Sequence, residues 1–409
     1  MKDGQINPGF ALGHATHYDW RMACELALAQ IEPWFQQHQH RAGLVQHQNA
    51  PLRWLAWLYF TPSFATEAEA LLRHVIERTG ITNWIGCCSE CVLAGSAEYR
   101  HEPALALMVG AMPSDSFEVF SGRRPKVAPG VNPSPASTIF VHADPQLSDL
   151  GELLDALSQR HEQAPCHGGI CSGLDAELPQ LANEVFHGGL SGVVFRQSAG
   201  VRQAFSQGCR PIGTRHHITK SDRHLVRHID DRPAMDVLLQ ELGVAQESDH
   251  AGTRQKVLQS LPKEKLQGGL LVEIADPERL DQPGLVRNLL GIDPSNGSIA
   301  IAGQAEVGWS LRFCTRDPQT ARDDLVASCT ALRESIEEAG QKILALIYVS
   351  CLARGEHLFG RAGLEGQWVQ HYLQAPLMIG FQANGEIHQN QLHGYSAVLL
   401  AICTEADQR

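Results

Sequence analysis

Four polar residues near the C-terminus have the types and positions needed to hold a small charged molecule: Arg316, Arg354, Glu386 and His393. Each stands beside a predicted strand end or in a glycine-containing loop, where α/β folds commonly place ligand-binding groups. An arginine can grip a carboxylate through two parallel hydrogen bonds, and a glutamate can hold an ammonium group. These residues predict a binding site for a small polar ligand, with Cys351 and Tyr395 on its walls.

The same charged residues have a structural alternative. Arg354 could pair with Glu386, and Arg316 could pair with Asp317, or these side chains could cap the ends of backbone elements. Such ion pairs are ordinary features of folded proteins and do not by themselves indicate a ligand. The sequence leaves both interpretations open.

Cysteine spacing suggests metal or redox chemistry as a second possibility. Cys88-Ser89-Glu90-Cys91 is a Cys-x-x-Cys motif, to which Cys166, His167 and Cys171 could add zinc ligands. Zinc patterns require a second close pair at a set spacing, and the spacing of Cys166 and Cys171 fits such a pair poorly, so we expect no metal and no cofactor. The neighbouring Cys87 and Cys88 leave redox sensing open. Eleven dispersed cysteines, an odd number, predict buried reduced thiols and no disulfide framework.

Catalytic motifs are weak in this sequence. Ser191 stands in Gly-Gly-Leu-Ser-Gly, but no Gly-x-Ser-x-Gly motif occurs, which disfavours an α/β-hydrolase. We therefore expect a binding protein and no enzyme. One enzymatic alternative is a hydrolase that uses Cys351 or Cys87 with a histidine brought close by the fold. Another alternative is a scaffold for protein interactions.

Composition narrows the class of protein. The chain has 409 residues, of which 43% are hydrophobic and 19% charged, with a formal net charge of −12 and no long basic run. Nucleic acid is therefore a poor partner, because affinity for phosphate backbones depends on clustered cations. The N-terminus lacks the pattern of a signal peptide, and no stretch approaches 18 consecutive apolar residues. We expect a cytoplasmic protein that does not contact the membrane.

Apolar runs of strand length alternate with helical patterns, which predicts a mixed α/β fold of layered sheets and helices. A strand–helix–loop–strand unit recurs along the chain. One copy runs from a strand at 54–61 to a strand at 104–111, and another runs from 343–350 to 397–403. A weaker copy runs from 138–143 to 190–196. The charged, helix-poor passage Thr219–Arg232 predicts a boundary between two regions, 1–225 and 226–409.

An ordered set of short segments along nearly the whole chain resembles the FIST family. In the first half these are Gly86–Ser89, Glu98–Leu105 and Gly188–Phe195. In the second half they are Arg210–Gly213, Arg232–Ala234, Leu242–Gly243, Arg316–Asp317, Ser350–Gly355, Leu358–Gly360, Gly385–Ile387 and Leu392–Ser396. The predicted site residues lie within the second set.

The resemblance implies N-terminal and C-terminal FIST regions in a bacterial cytoplasmic sensory protein. It also implies binding of a small ligand, such as an amino acid or a related metabolite, and no established catalytic residue. The match fills the chain, so we expect the signal to leave through a protein partner. The first half lacks the Gly-Glu pair that the second half has as Gly385-Glu386, which puts equal function of the two halves in doubt.

Overall fold

The computed structural model describes residues 9–42, 52–122, 134–173, 178–244, 269–278 and 283–406. Contacts divide the chain into two units. Unit 1 comprises Met1–Ser206 and Leu325–Arg409, and unit 2 comprises Gln207–Asp324. Helices and strands occur in layers in the described residues, which confirms the predicted mixed α/β class.

The described helices are α1 Trp20–Ala42, α2 Ala68–Thr79, α3 Leu150–Arg160, α4 Ala234–Glu241, α5 Pro318–Glu338, α6 Glu356–Phe359 and α7 Leu364–Leu373. Strands of unit 1 up to Ser206 are β1 Phe10–Thr16, β2 Leu52–Phe60, β3 Trp84–Cys88, β4 Cys91–Ala94, β5 Ala97–Arg100, β6 Ala104–Pro113, β7 Phe117–Gly122, β8 Ala136–Ala143, β9 Cys166–Ile170, β10 Gln180–Ala182, β11 Val185–Phe186, β12 Leu190–Arg196 and β13 Val201–Ser206. Strands of unit 2 are β14 Cys209–Asp222, β15 Leu225–Ile229, β16 Arg232–Pro233, β17 Leu270–Ala275, β18 Leu285–Asp293, β19 Ser298–Ile301 and β20 Ser310–Arg316. The remaining strands of unit 1 are β21 Gln341–Cys351, β22 Met378–Ala383, β23 Glu386–His388, β24 Gln391–His393 and β25 Ala397–Glu405.

Unit 1 contains three six-stranded sheets built to one plan. Their strand orders are β1-β6-β2-β3-β10-β11 in sheet 1, β7-β12-β8-β9-β23-β24 in sheet 2 and β13-β25-β21-β22-β4-β5 in sheet 3. The third and fourth strands of each sheet run parallel, and their other described neighbours are antiparallel. The chain therefore builds the predicted recurrent unit three times, and the weakest predicted copy has the same topology as the others.

Each copy gives its hairpin to the sheet of another copy. The hairpin β4–β5 of the first copy pairs with β22 in sheet 3, and β10–β11 of the second copy pairs with β3 in sheet 1. The hairpin β23–β24 of the third copy pairs with β9 in sheet 2. The three exchanges form a closed cycle, so every sheet is completed by a neighbouring copy. The sequence analysis did not anticipate this exchange.

A glycine occupies the same position in the parallel pair of all three sheets. Gly86 lies opposite Leu58, Gly168 opposite Val141 and Gly380 opposite Tyr348. A Cβ atom added at these glycines would lie 1.8, 1.9 and 1.7 Å from the carbonyl oxygens of those partners. Since real atoms cannot approach so closely, each parallel pair excludes any side chain at this point.

Helices cover the sheets, while inner faces meet in a common core. Residues of α1 and α2 pack with sheet 1, those of α3 with sheet 2, and those of α5 and α7 with sheet 3. One ring from each copy meets at the centre. The ring of Tyr59 lies 5.5 Å from His142 and 5.1 Å from Phe381, and the rings of His142 and Phe381 are 5.5 Å apart.

Unit 2 is a β-barrel with its own core. Its sheet runs β14-β20-β17-β18-β19-β15, and an additional β14–β15 pairing closes it. Buried side chains of α4, including Met235 and Leu238, pack with the barrel residues. His216 lies between two carboxylates, with Nδ1 2.7 Å from Asp230 and Nε2 2.9 Å from Glu241.

The two units divide the chain differently from the predicted regions 1–225 and 226–409. Thr219–Arg232, predicted as a boundary, lies inside unit 2 and forms most of the β14–β15 hairpin. Most of its charged residues are exposed, whereas Val226 and Ile229 are buried in the barrel core. The charge therefore marks the solvent face of a hairpin. Within the described ranges, no helix has both the length and the apolar character needed to cross a membrane.

We expect Gly380→Ala to lower the free energy of unfolding by at least about 2 kcal/mol, because its Cβ would overlap the carbonyl of Tyr348. Urea denaturation followed by circular dichroism measures this change. Gly151→Ala in α3 is the matched control, since its Cβ would meet nothing within 4 Å. The control should be neutral or gain up to about 1 kcal/mol from helix propensity. Equal stability of the two variants would show that the strands are not so closely paired.

Candidate functional site

Five of the six predicted site residues lie in unit 1, around the carboxyl end of β21. Cys351 is the last residue of β21, and its backbone N–H donates to the carbonyl of Ser396 over 3.0 Å. Arg354 follows in the next turn, and its Nη1 donates to the carbonyl of Tyr395 over 3.5 Å. Glu386 begins β23 and lies opposite His393 of β24. The structure thus brings together residues up to 44 positions apart in sequence.

Arg354 is completely buried, which is unusual for an arginine. Its Nε donates to Glu365 Oε1 over 2.6 Å, and the guanidinium carbon lies 5.7 Å from the centre of the Phe359 ring. Burial lowers the pKa of this guanidinium, but the charge and hydrogen bond of Glu365, together with the nearby Tyr348 and Cys351, outweigh burial and raise the pKa above its ordinary value. The arginine is therefore held as a cation in the protein interior.

Glu365 is a site residue that the sequence analysis did not identify. It lies in the first turn of α7 and is 2% exposed. Besides Arg354, it accepts hydrogen bonds from the Ser350 hydroxyl at 3.0 Å and the Gly355 N–H at 3.2 Å. An acidic residue in the first turn of a helix is ordinary. Glu365 differs from such residues only in its burial beneath the strand end, and the sequence does not show that burial.

Glu386 is also completely buried, but it does not pair with Arg354. Its Oε2 accepts hydrogen bonds from the Ser396 N–H at 3.0 Å and from the Ser396 hydroxyl at 2.7 Å. Burial raises the pKa of Glu386 to about 7, although hydrogen bonds from Ser396 and the Cys351 thiol and the charge of Arg354 oppose this shift. Near neutral pH, this group can therefore bind or release a proton.

His393 is buried and lies in a group of aromatic rings beside Glu386. Its ring is 4.6 Å from Phe205 and 6.0 Å from His388, and Phe205 stacks on His388 at 4.4 Å. His388 Nδ1 lies 3.1 Å from His167 Nδ1. Burial lowers the pKa of His388 to about 4, and burial with the neighbouring His388 lowers the pKa of His167 well below its ordinary value. These two rings are therefore neutral at pH 7.

Arg316, the sixth predicted residue, belongs to unit 2. It ends β20 and lies opposite Cys209 in the β14–β20 pair. Its contribution to a ligand site stays a prediction. The neighbouring Asp317 accepts a hydrogen bond from the Thr320 N–H at 2.7 Å, so it caps the start of α5 as the capping alternative expected.

The cysteines of the Cys-x-x-Cys motif belong to different sheets. Cys88 ends β3 in sheet 1, whereas Cys91 begins β4 in sheet 3. In the described part of the chain, no group of three or more His, Cys, Asp or Glu residues is placed to hold a metal ion. All eleven cysteines are free thiols, and ten of them are buried. Burial and a hydrogen bond with Cys171 raise the pKa of Cys87, which makes this thiol a poor nucleophile.

The position of Glu386 carries a charge in only one of the three copies. In sheet 2, Glu386 pairs with the residue that follows the close-contact glycine. The residue that pairs at the same position is Gln180 in sheet 1 and Val92 in sheet 3. The neutral Gln180 accepts a hydrogen bond from the Ser191 hydroxyl at 2.8 Å. The copies therefore share a backbone but not a site, which agrees with the missing Gly-Glu pair in the first half.

Comparison with known proteins assigns two domains to the chain. The family model of the FIST N domain matches residues 55–232, and that of the FIST C domain matches residues 234–389. The junction between them falls within unit 2. An uncharacterized protein of Mycobacterium tuberculosis strain H37Rv is 29% identical over 361 residues, which cover 84% of this chain and 89% of that protein. An uncharacterized protein of Mycobacterium bovis is 28% identical over 360 residues, with the same coverage of both chains.

We expect Glu365→Ala to lower the free energy of unfolding by about 3–5 kcal/mol, because it leaves the charge of Arg354 buried without its partner. Urea denaturation measures the loss. The double variant Arg354→Met with Glu365→Leu removes both charges and should recover most of this stability. If the single variant costs less than about 1 kcal/mol, the ion pair is solvated and the burial described here is wrong.

The raised pKa of Glu386 predicts a pH dependence of stability. Because the folded-state pKa is about 7 and the ordinary value is 4.5, the folded protein holds a proton that the unfolded chain releases. This stabilisation is complete below about pH 4.5 and is lost as pH rises to about 7. Relative to Glu386→Gln, the parent should lose about 3 kcal/mol between pH 5 and 8 in urea denaturation. Parallel pH curves for the two proteins would contradict the raised pKa.

Proposed function

The chain belongs to the FIST family, and on this premise we propose that it is a cytoplasmic sensory protein that binds a small polar ligand such as an amino acid. FIST domains are sensory domains that bind small ligands in signal transduction. The ligand binds at the carboxyl end of β21, between Arg354 and Glu386. A protein partner receives the signal.

Two buried polar atoms without hydrogen-bond partners in the described structure support this site. They are Arg354 Nη2 and Glu386 Oε1. Buried polar atoms in proteins are nearly always hydrogen-bonded, and leaving one unsatisfied costs about 1–3 kcal/mol. Both atoms lie at one strand end, on two side chains that the sequence predicts to contact a ligand. A bound molecule that forms hydrogen bonds with both atoms explains them best.

The chemistry of these atoms defines the class of ligand. Arg354 Nη2 can only donate hydrogen bonds, so it suits a carboxylate. The oxygens of ionised Glu386 can only accept, so they suit an ammonium group. A molecule with both groups a few ångströms apart could bond to both unsatisfied atoms, whereas a simple carboxylic acid would satisfy only Arg354 Nη2. An amino acid or a related zwitterion therefore fits best.

Binding without turnover is favoured by the surroundings of Cys351, the nucleophile of the alternative hydrolase. Its thiol lies beside the carboxyl group of Glu386, and burial together with that negative charge raises the pKa of Cys351. A catalytic cysteine needs the opposite, namely an imidazole or a cation that stabilises the thiolate. The local chemistry therefore supports a sensor over a cysteine hydrolase.

We expect an amino acid from a screen of the common amino acids and short carboxylates to raise the melting temperature. At 100 times its dissociation constant, a ligand stabilises the folded protein by about 2.7 kcal/mol. Arg354→Lys and Glu386→Gln should each abolish the shift, because each removes one complementary group. Differential scanning fluorimetry, followed by calorimetry of the hits, measures the effect.

Arg361→Ala is the matched control for this screen, since this exposed arginine of the same segment bonds only to Gln367 in the described structure. It should respond to the ligand as the parent does. Hits that shift Arg354→Lys and Glu386→Gln as much as the parent would place the ligand elsewhere. Steady chemical conversion of a hit would favour the enzyme instead.

A further inference from the structure

The segment Gly355–Gly363, called here the cover segment, directly follows Arg354 of the proposed site. Arg354 and Glu386 are completely buried, so a ligand cannot reach them while the protein keeps this conformation. The ring of Phe359 in the middle of the segment lies over the guanidinium of Arg354. Some part of the chain must therefore move before a ligand can bind.

The cover segment has the features of a part that can move as a unit. Its only regular element is the four-residue α6, none of whose side chains is buried. Glycines with positive φ stand at both ends and after α6, with φ of 58° at Gly355, 75° at Gly360 and 72° at Gly363. Segments with few buried contacts open at low free energy, and their hinges are residues that tolerate large backbone changes.

A carboxylate from another copy fastens both ends of this segment. Glu98 lies on β5, in the hairpin that the first copy gives to sheet 3, and its side chain is 2% exposed. Its Oε1 accepts from the Glu356 N–H at 3.1 Å, and its Oε2 accepts from the Gly363 N–H at 2.9 Å. One side chain therefore holds the first and last turns of the cover segment.

Other groups closely surround the carboxylate of Glu98. Gln382 Nε2 also donates to Glu98 Oε1 over 3.3 Å, and the guanidinium of Arg100 bonds to the side-chain oxygen of Gln382. A Cβ atom at Gly355 would lie 2.4 Å from both Glu98 Oε1 and Gln382 Nε2. The glycine thus allows the backbone to reach the carboxylate, and any larger residue would displace it.

We propose that the cover segment is a lid over the Arg354 site and that Glu98 is the positioning residue that keeps it closed. The identity of the ligand that binds beneath the lid rests on the proposed function, whereas the existence of the lid does not rest on it. Because Glu98 comes from the N-terminal FIST domain and the lid from the C-terminal one, opening breaks a contact between the two domains. Ligand entry would therefore change the environment of the first copy.

Chemical labelling of Arg354 with phenylglyoxal tests the proposal without a ligand. Peptide mass spectrometry gives the labelling rate at Arg354 and at Arg78, whose side chain is 50% exposed and serves as an internal reference. Hydrogen exchange of the same proteins gives the opening of 355–363 and of β21. The variants are Glu98→Ala and Phe359→Ala, with Glu102→Ala as a control whose carboxylate bonds to the Thr16 hydroxyl outside the lid.

In the parent, we expect slow labelling of Arg354. Glu98→Ala should speed labelling of Arg354 relative to Arg78 at least tenfold and speed amide exchange in 355–363 equally, while β21 exchanges as before. A purely structural role for Glu98 would instead speed exchange in β21 as well, which would overturn the proposal. Glu102→Ala should behave like the parent.

Phe359→Ala keeps the proposal testable if Glu98→Ala fails to fold. Removing this half-buried ring should speed labelling of Arg354 at least tenfold while the Gly363 amide stays protected by Glu98. Unchanged labelling in this variant, or Arg354 as reactive as Arg78 in the parent, would show that the segment is not a lid. If the labelling and exchange results are as expected but the ligand screen gives no hit, the proposed ligand is wrong and the lid still stands.

Discussion

The close approach of two parallel strands is the constraint on which unit 1 depends. In each copy the second strand carries a glycine whose missing side chain lets it contact the carbonyl of the first strand directly. This contact recurs at Gly86, Gly168 and Gly380, and in each sheet the exchanged hairpin pairs with the strand that contains the glycine. A single backbone requirement thus accounts for a feature common to three otherwise different sequences.

Exchange of hairpins explains why the candidate site contains residues distant in sequence. Glu386 lies on a hairpin of the third copy that pairs with sheet 2, while Arg354 follows β21 of sheet 3. Glu98 reaches the same region on a hairpin from the first copy. Three copies with one backbone can therefore place different side chains at one strand end, where a buried arginine and a buried glutamate are brought together.

Much of the fold followed from local patterns, because strand-length apolar runs and helix periodicity are local properties. The predicted strand 190–196 coincides with β12, and the run 343–350 lies within β21. Arg354 and Glu386 were predicted as ligand contacts because glycine and charge mark loops after strands, and the structure places both near the end of β21. Glu365 was not predicted because its burial is not a local sequence property. Glu98 was not predicted because it bonds to residues 258 and 265 positions away. Unit 2 was missed because its exposed charges resemble a linker when the barrel is not known.

The cyclic exchange has a consequence for the order in which the newly made chain can fold. Sheet 1 has all its strands once the ribosome has passed Phe186, but sheet 2 lacks β23 and β24 until residues 386–393 are made. The hairpin β4–β5 must meanwhile wait for β22, which is almost 300 residues later. Pairings this distant in sequence form slowly, and unpaired strand edges tend to aggregate. Synthesis of this protein therefore passes through a long interval in which chaperone protection of the nascent chain matters most.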